Sequence, residues 1–478
     1  MVGKTPDPPS RIDLGMGYNW FDYFGCGENY ARWENYPLRT PLYPELEDAA
    51  GWGAIEAGLD ALEAGWIRFG MPPNPHVDAK GNPVFDTVHV ERLKRLCKWA
   101  ASRKKPVLLD FFTTPEFYEF PLPEGVEEPH DWLINMAPED NRRYARKFVV
   151  PFLRELVETM GLEAIRFFNP VNEPMEYGVF QTPGNCPPAI EHYVGLYREL
   201  REGLDAVGLP RERIGLVGLD TIEPLRRILT MHAHGVDIDP YVEAYSVHHY
   251  NLRFDNAPPK AMPDTPAAYF DVGIAGVIER EDAEVLRYCR ERGKPLWALE
   301  MGSFYEGKFF NPAGVSQFDT VLAVSEAILR AANLGISTFC IWSLMNTNDV
   351  DGHWSVIEIG NGEWRGCKPA FSLYRMLGRH LRPGALIIPL EPEPETRPRH
   401  LFGSEATGPD GERTLMLVND DPDTEIEVSC GADPSPGDWD VLILTDGGED
   451  GFEVTAGGPD LFLTLPARSL TLVRKSLS

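Results

Sequence analysis

Two glutamates carry the clearest chemical signal in this 478-residue sequence. Glu173 lies in Asn172-Glu173-Pro174, at the end of the largely apolar run 163–172 (EAIRFFNPVN), and Glu300 closes the apolar run 295–300 (PLWALE). Each has a plain structural explanation: Asn-Glu-Pro is common as a helix N-cap followed by a first-turn proline, and a strand-end carboxylate can be solvated or ion-paired. A charged group that closes a buried strand is nevertheless costly unless something holds it. Two such groups, three strand–helix units apart, can divide the work of general acid, general base and nucleophile between them.

The elements that position them can be read from periodicity. Eight short strand-like runs cover 12–19, 65–70, 106–112, 163–172, 214–220, 243–250, 295–300 and 336–343. Most are apolar throughout, as strands covered on both faces must be. Between them lie amphipathic helical patterns such as 88–103, 138–160 and 191–208, with apolar residues three to four apart. Eight such units closing on themselves predict an α/β fold of the (β/α)8 TIM-barrel type, in which strands four and seven face each other across the mouth. The segment exceeds the roughly 250 residues of a typical barrel, so long loops are expected on the rim where barrel enzymes keep their chemistry.

After a helix at 370–381 the pattern changes at Arg382-Pro383-Gly384 and the Pro/Glu-rich stretch behind it. Period-two runs follow from residue 400, broken by Gly, Asp and Pro, which predict a C-terminal antiparallel β-sandwich. The expected units are therefore a barrel over 1–383 and a sandwich over 384–478. A formal charge of -28 repels phosphate backbones and anionic lipid, so neither nucleic acid nor membrane is an expected partner. No run approaches the about 18 to 20 apolar residues of a membrane span, and the N-terminus has no apolar leader core. A cytoplasmic location is expected, or secretion where a leader was trimmed. Seven scattered cysteines without a C-x-x-C pair read as free thiols, with no metal and no cofactor. The sequence carries no mark of oligomeric state.

With Glu173 and Glu300 at the ends of strands four and seven, the chain resembles glycoside hydrolase clan A, the retaining barrel glycosidases. Arg68 in the second strand (WIRFG), His248 and Tyr250 closing the sixth (SVHHY) and Trp342 in the eighth (CIWS) agree with that resemblance, which spans the whole barrel. It implies that Glu173 is the acid/base and Glu300 the nucleophile. By the same resemblance Arg68 and Tyr250 hydrogen-bond the nucleophile, Asn172 binds a sugar 2-hydroxyl, His248 lines the pocket and Trp342 is the sugar platform. Glu300 is expected to stay ionised beside Arg68, and Glu173 to rest protonated with a raised pKa. Asn19 and Trp20, just after the first strand, and Trp354, in the eighth loop, are further expected pocket residues.

The pattern departs from single families of the clan. No histidine stands in the third strand as in family 5. The Ser246-x-His248-x-Tyr250 spacing and the appended sandwich are similar to families 30 and 39, but Met301 follows the nucleophile position where family 39 often has tryptophan. The chain is thus identified as family 5-like or 39-like. The expected activity is double-displacement hydrolysis of a carbohydrate, exo-acting on oligosaccharides or small glycosides of β-D or equivalent α-L type. An endo-β-glycanase, a transglycosylase and a non-catalytic carbohydrate-binding barrel are the alternatives.

Overall fold

The computed structural model describes residues 10–21, 49–111, 138–174, 189–221, 224–250, 282–302, 317–345, 356–360, 363–366, 369–390, 400–430, 439–446, 452–456 and 461–475. Eight parallel strands close into a barrel: β1 (Gly15–Phe21), β2 (Trp66–Met71), β3 (Val107–Phe111), β4 (Ile165–Asn169), β5 (Gly215–Thr221), β6 (Ala244–Tyr250), β7 (Leu296–Gly302) and β8 (Thr338–Ile341). They coincide with the eight runs read from the sequence, and β8 pairs back onto β1. Described helices between and after them include α1 (Ala49–Ala61), α2 (Val88–Ser102), the helical stretch 138–159, α3 (Ala189–Ala206), α4 (Pro224–Ala233), α5 (Ala283–Glu291), α6 (Gln317–Leu334) and α7 (Ala370–His380). The start of α2 has a local cause: Thr87 is extended and its hydroxyl accepts the Val90 N–H at 3.2 Å, satisfying one of the free donors of the first turn. Among the described residues, no helix is long and apolar enough to cross a membrane.

Successive strand residues point to opposite faces. Outward residues such as Ile67, Phe69, Leu109 and Phe111 join the large core beneath the helices. Inward residues near the strand starts form a second apolar cluster of Trp66, Leu108, Val217, Ala244, Trp297, Leu299 and Cys340. The Trp66 and Trp297 rings lie 6.4 Å apart, and Phe167 meets Trp297 edge-on at 4.9 Å. Gly17 leaves room for this layer, since a Cβ there would stand 2.4 Å from the Trp66 indole. Two residues farther along β2, β3 and β4 the same inward face carries Arg68, Asp110 and Asn169, all fully buried.

Two strands break their alternation at the same end of the barrel. β5 carries an extra residue against β6 between Gly218 and Thr221, and β7 carries one between Ala298 and Met301, against both β6 and β8. In β5 the irregularity includes two consecutive non-glycine residues in the left-handed region, Leu219 at φ 77 and Asp220 at φ 47. Such bulges re-aim side chains. Here they turn Asp220 and Glu300 inward beside residues that already point there.

Beyond the barrel, β9 (Ile357–Gly360) and β10 (Glu363–Gly366) form a hairpin. The C-terminal strands are β11 (Leu386–Pro389), β12 (Leu401–Thr407), β13 (Arg413–Asn419), β14 (Ile426–Cys430), β15 (Trp439–Thr445), β16 (Phe452–Ala456), β17 (Leu461–Leu465) and β18 (Ser469–Lys475). One antiparallel sheet runs β11-β12-β13-β18-β15-β16 and takes a strand from the other end of the chain, Ser10–Arg11, which pairs with β11; β14 and β17 form the second sheet. The strands Ser10–Arg11, β11 and β12 and the hairpin were not among the runs read from the sequence. Trp439, Val441, Val473, Leu417, Ile426 and Leu465 fill the space between the sheets. Buried His380 of α7 ties barrel to sandwich through hydrogen bonds with Thr414 (2.8 Å) and Ser404 (2.7 Å).

Candidate active site

The polar layer is built around Arg68, whose stem rises from the apolar cluster and whose guanidinium is fully buried. One terminal nitrogen, Nη1, donates to Glu300 Oε1 at 2.5 Å and to Asn19 Oδ1 at 3.1 Å. The other, Nη2, donates to Asn172 Oδ1 at 2.6 Å and to Asp110 Oδ2 and Asp220 Oδ2 at 3.0 Å each. Asn19 holds its own place by donating to the Leu299 carbonyl at 2.9 Å. Asn169 extends the cluster, donating to Asp110 at 2.5 Å and to Asp220 at 2.6 Å.

His248 forms the second cationic centre. Its Nε2 hydrogen-bonds Asp220 Oδ1 at 2.8 Å, and its Nδ1 hydrogen-bonds Glu173 Oε1 at 2.8 Å and lies 3.5 Å from Glu300 Oε2. One ligand atom from each of Glu173, His248 and Glu300 lies within 4.8 Å of the others. That spacing would also admit a metal ion, but these groups are already engaged, Glu300 by Arg68 and His248 by Glu173 and Asp220. Glu173 sits at φ 40, an uncommon backbone conformation for a non-glycine residue, and its side chain keeps 13% of its surface exposed while the Glu300 side chain keeps 4%. The two carboxylates thus share a site at unequal depth.

Charge balance differs from residue to residue. Burial pushes the Asp110 carboxyl up to about 7, against the pull of Arg68 and with the repulsion of Asp220 and Glu300. Burial also works to raise Asp220, but Arg68 and His248 outweigh it and hold that carboxyl below the ordinary value. For Glu300, burial together with Glu173 and Asp220 exceeds the opposing His248 and Arg68 charges, so its pKa lies above the usual 4.5. Burial opposes charge on His248, yet Glu300, Asp220 and the hydrogen bonds to Asp220 and Glu173 keep it well above 6.5. The imidazole is therefore a cation, donating from both nitrogens.

Of the residues singled out in the sequence, Arg68, Asn172, Glu173, His248, Glu300 and Asn19 meet in this one cluster. Trp342 follows β8 and is partly exposed, its N–H bonded to the Met301 carbonyl at 2.8 Å. Tyr250 ends β6, but its side chain lies outside the described residues, as does all of Trp354. Trp20 points away from the site: it is 2% exposed and packs on Trp52 and Phe69 with ring centroids 5.1 and 5.6 Å away. Period-two alternation requires this, because Asn19 before it points inward. His249 likewise faces outward and bonds Asp282 at 2.7 Å. Three residues were missed: Asp110, Asn169 and Asp220. Asp110 and Asn169 carried a usable signal, each lying two positions beyond an inward apolar residue.

Solved structures similar to this chain have the same arrangement of elements. The catalytic domain of GH30 xylanase C from Talaromyces cellulolyticus superposes with a TM-score of 0.63 at 14% identity, covering 99% of both chains. A GH30 endoxylanase from Clostridium papyrosolvens C71 gives 0.62 at 12% identity, over 99% of this chain and 98% of that one. The GH51 arabinofuranosidase from Xanthomonas axonopodis pv. citri gives 0.59 at 15%, over 98% of each. The chain has their fold. It is the barrel with an appended antiparallel sheet that the clan A resemblance implies. No family model matches the sequence, and no curated protein matches it.

Proposed function

We propose that the chain is a retaining glycoside hydrolase, with Glu300 as nucleophile and Glu173 as acid/base. The observation that carries this reading is the carboxylate pair, with an oxygen from each within 4.8 Å. Retaining enzymes place the two carboxyl groups about 5 to 5.5 Å apart, whereas inverting enzymes need about 6.5 to 9.5 Å to admit a water between them. The likeness in fold to glycoside hydrolases supports the same conclusion.

In the first step a Glu300 oxygen attacks the anomeric carbon, the glycosidic C–O bond breaks, and Glu173 gives its proton to the departing oxygen. Water then attacks the glycosyl ester while Glu173 takes a proton from it, releasing the sugar and restoring the Glu300 carboxylate and the protonated Glu173. Arg68 aims Glu300 and stabilises its charge, assisted by the Tyr250 hydroxyl. Asn172, whose Oδ1 is taken by Arg68, has its amide hydrogens to offer a sugar 2-hydroxyl. Asn19 supports Arg68, His248 lines the site beside Glu173, and Trp342 is the sugar platform. In this reading the catalytic unit is the barrel, residues 1–383, and 384–478 form an accessory β-sandwich. The substrate is an oligosaccharide or small glycoside of β-D or α-L type cleaved from its end; endo cleavage is the competing mode, favoured by the likeness to a GH30 endoxylanase.

The test is release of aryl alcohol from a panel of p-nitrophenyl glycosides, with xylosides and arabinofuranosides first, by wild type and Glu300→Gln. Turnover that the substitution abolishes supports the reading. Turnover that survives it removes Glu300 from the nucleophile role, and activity only on longer oligosaccharides assigns the endo mode.

A further inference from the structure

Asp220 has no part in the two-carboxylate reaction, yet the fold goes to unusual lengths to place it. Strand alternation continued from inward Val217 would turn Asp220 out of the barrel. Instead Leu219 and Asp220 both adopt left-handed backbone in the β5 bulge, a conformation that costs energy for residues with a Cβ. Dedicated side chains satisfy the two amides that this frees. The Leu219 N–H donates to the Tyr193 hydroxyl at 2.8 Å, and the Asp220 N–H donates to Ser246 Oγ at 2.9 Å, which in turn donates to the Gly218 carbonyl at 3.0 Å. Tyr193, Ser246 and Asp220 are all buried. The result is a fully buried carboxylate with one oxygen 3.0 Å from Arg68 and the other 2.8 Å from His248 Nε2.

His248 hands the arrangement on, since its other nitrogen meets Glu173 at 2.8 Å. On the reading of Glu173 as acid/base, we propose that Asp220 is a positioning residue for the reaction: through His248 it fixes the hydrogen bond to Glu173 and sets how readily Glu173 gives up its proton. A carboxylate behind an imidazole fixes the ring and stabilises its charge, so the other nitrogen presents a proton in a defined direction. One proton is then shared between His248 Nδ1 and Glu173 Oε1. It leaves with the departing oxygen in the first step, His248 keeping its Nε2–H on Asp220, and the pair regains a proton from the attacking water in the second. Among the described residues, the charged groups facing His248 are Asp220 from β5, Glu173 after β4 and Glu300 from β7, with Arg68 of β2 and Asp110 of β3 behind them.

Removing the Asp220 charge makes the shared proton easier to lose, and the active form holds that proton. In the full chain, Asp220→Asn should therefore move the basic limb of the kcat/KM profile to lower pH. It should also lower kcat/KM by ~100-fold for glycosides with poorly activated leaving groups, and only a few-fold for 2,4-dinitrophenyl glycosides that need no protonation. Ser246→Ala, which loosens the bulge without changing a charge, should give a smaller effect of the same kind and keeps the test available should Asp220→Asn fold poorly. Equal losses on both leaving groups with an unmoved basic limb would overturn the proposal, because simple structural support predicts that result. Nitrogen NMR of the His248 ring needs no substrate: wild type should hold both ring protons through neutral pH, and Asp220→Asn should lose one at lower pH. Should wild type cleave no glycoside, the glycosidase reading falls while this titration still decides whether Asp220 governs His248; unchanged titration overturns the proposal in either case.

Discussion

The barrel interior has two layers built on the same strands, and they contrast in chemistry. Near the strand starts, Trp66, Leu108, Phe167, Val217 and Trp297 make an apolar plug. One inward step farther, Arg68, Asp110 and Asn169 occupy the same strands, joined by bulge-aimed Asp220 and Glu300. The lower layer gains from burial in proportion to apolar area. The upper layer is tolerable only because each charge answers another, and removing one partner from a buried pair leaves the rest uncompensated. Stability is concentrated below, and poised charge above.

The largest expected effect comes from breaking the upper layer at its centre. Arg68→Leu removes the counter-charge shared by Asp110, Asp220 and Glu300, leaving only the His248 cation beside the last two, and should cost about 3 to 5 kcal/mol or more, read by urea unfolding. The loss should grow from pH 5 to pH 8 as those carboxylates ionise with too little counter-charge. Trp297→Ala in the lower layer should also cost about 3 to 5 kcal/mol through the cavity it leaves, but equally at both pH values. A pH-independent loss for Arg68→Leu, or a pH-dependent one for Trp297→Ala, would erase the distinction between the layers.

A smaller effect sharpens the same contrast. The Asp110 pKa is about 7 in the folded chain, against 3.8 for an unperturbed aspartate. The folded state therefore holds this proton more tightly than the unfolded one. The resulting stability is fully present below the unfolded value and is lost as the pH rises through about 7. Asp110→Asn carries no such proton, so the stability difference, variant minus wild type, should increase from pH 5 to pH 8. Thermal unfolding at the two values checks this, and a constant difference would mean that Asp110 stays ionised throughout.

Most of the frame could be read from the sequence because its signals are local. Parallel strands buried on both faces are apolar throughout, and all eight were found, together with the helices near 88–103, 138–160, 191–208 and 370–381. Glu173, Glu300, Arg68 and His248 stood out because a charge or imidazole near the end of such a run is conspicuous. The misreading of Trp20 came from its closeness in sequence to Asn19, when alternation sends adjacent residues to opposite faces. Asp110 sat inside PVLLDFF as an apparent interruption, although it keeps inward phase with Leu108. Asp220 was beyond reach for another reason: its direction depends on a backbone bulge held by Tyr193 and Ser246, which strand periodicity does not encode. The β11 strand escaped notice because the proline-rich stretch behind it masks four residues whose partners lie at Ser10–Arg11 and in β12.

The central claim, double displacement by Glu173 and Glu300, is tested most directly by the anomeric configuration of the first product. Proton NMR during rapid turnover of the preferred aryl glycoside separates the two anomers before they equilibrate. The closely spaced carboxylates predict a product with the configuration of the substrate. Initial appearance of the opposite anomer would mean that water attacks directly, and would contradict the account.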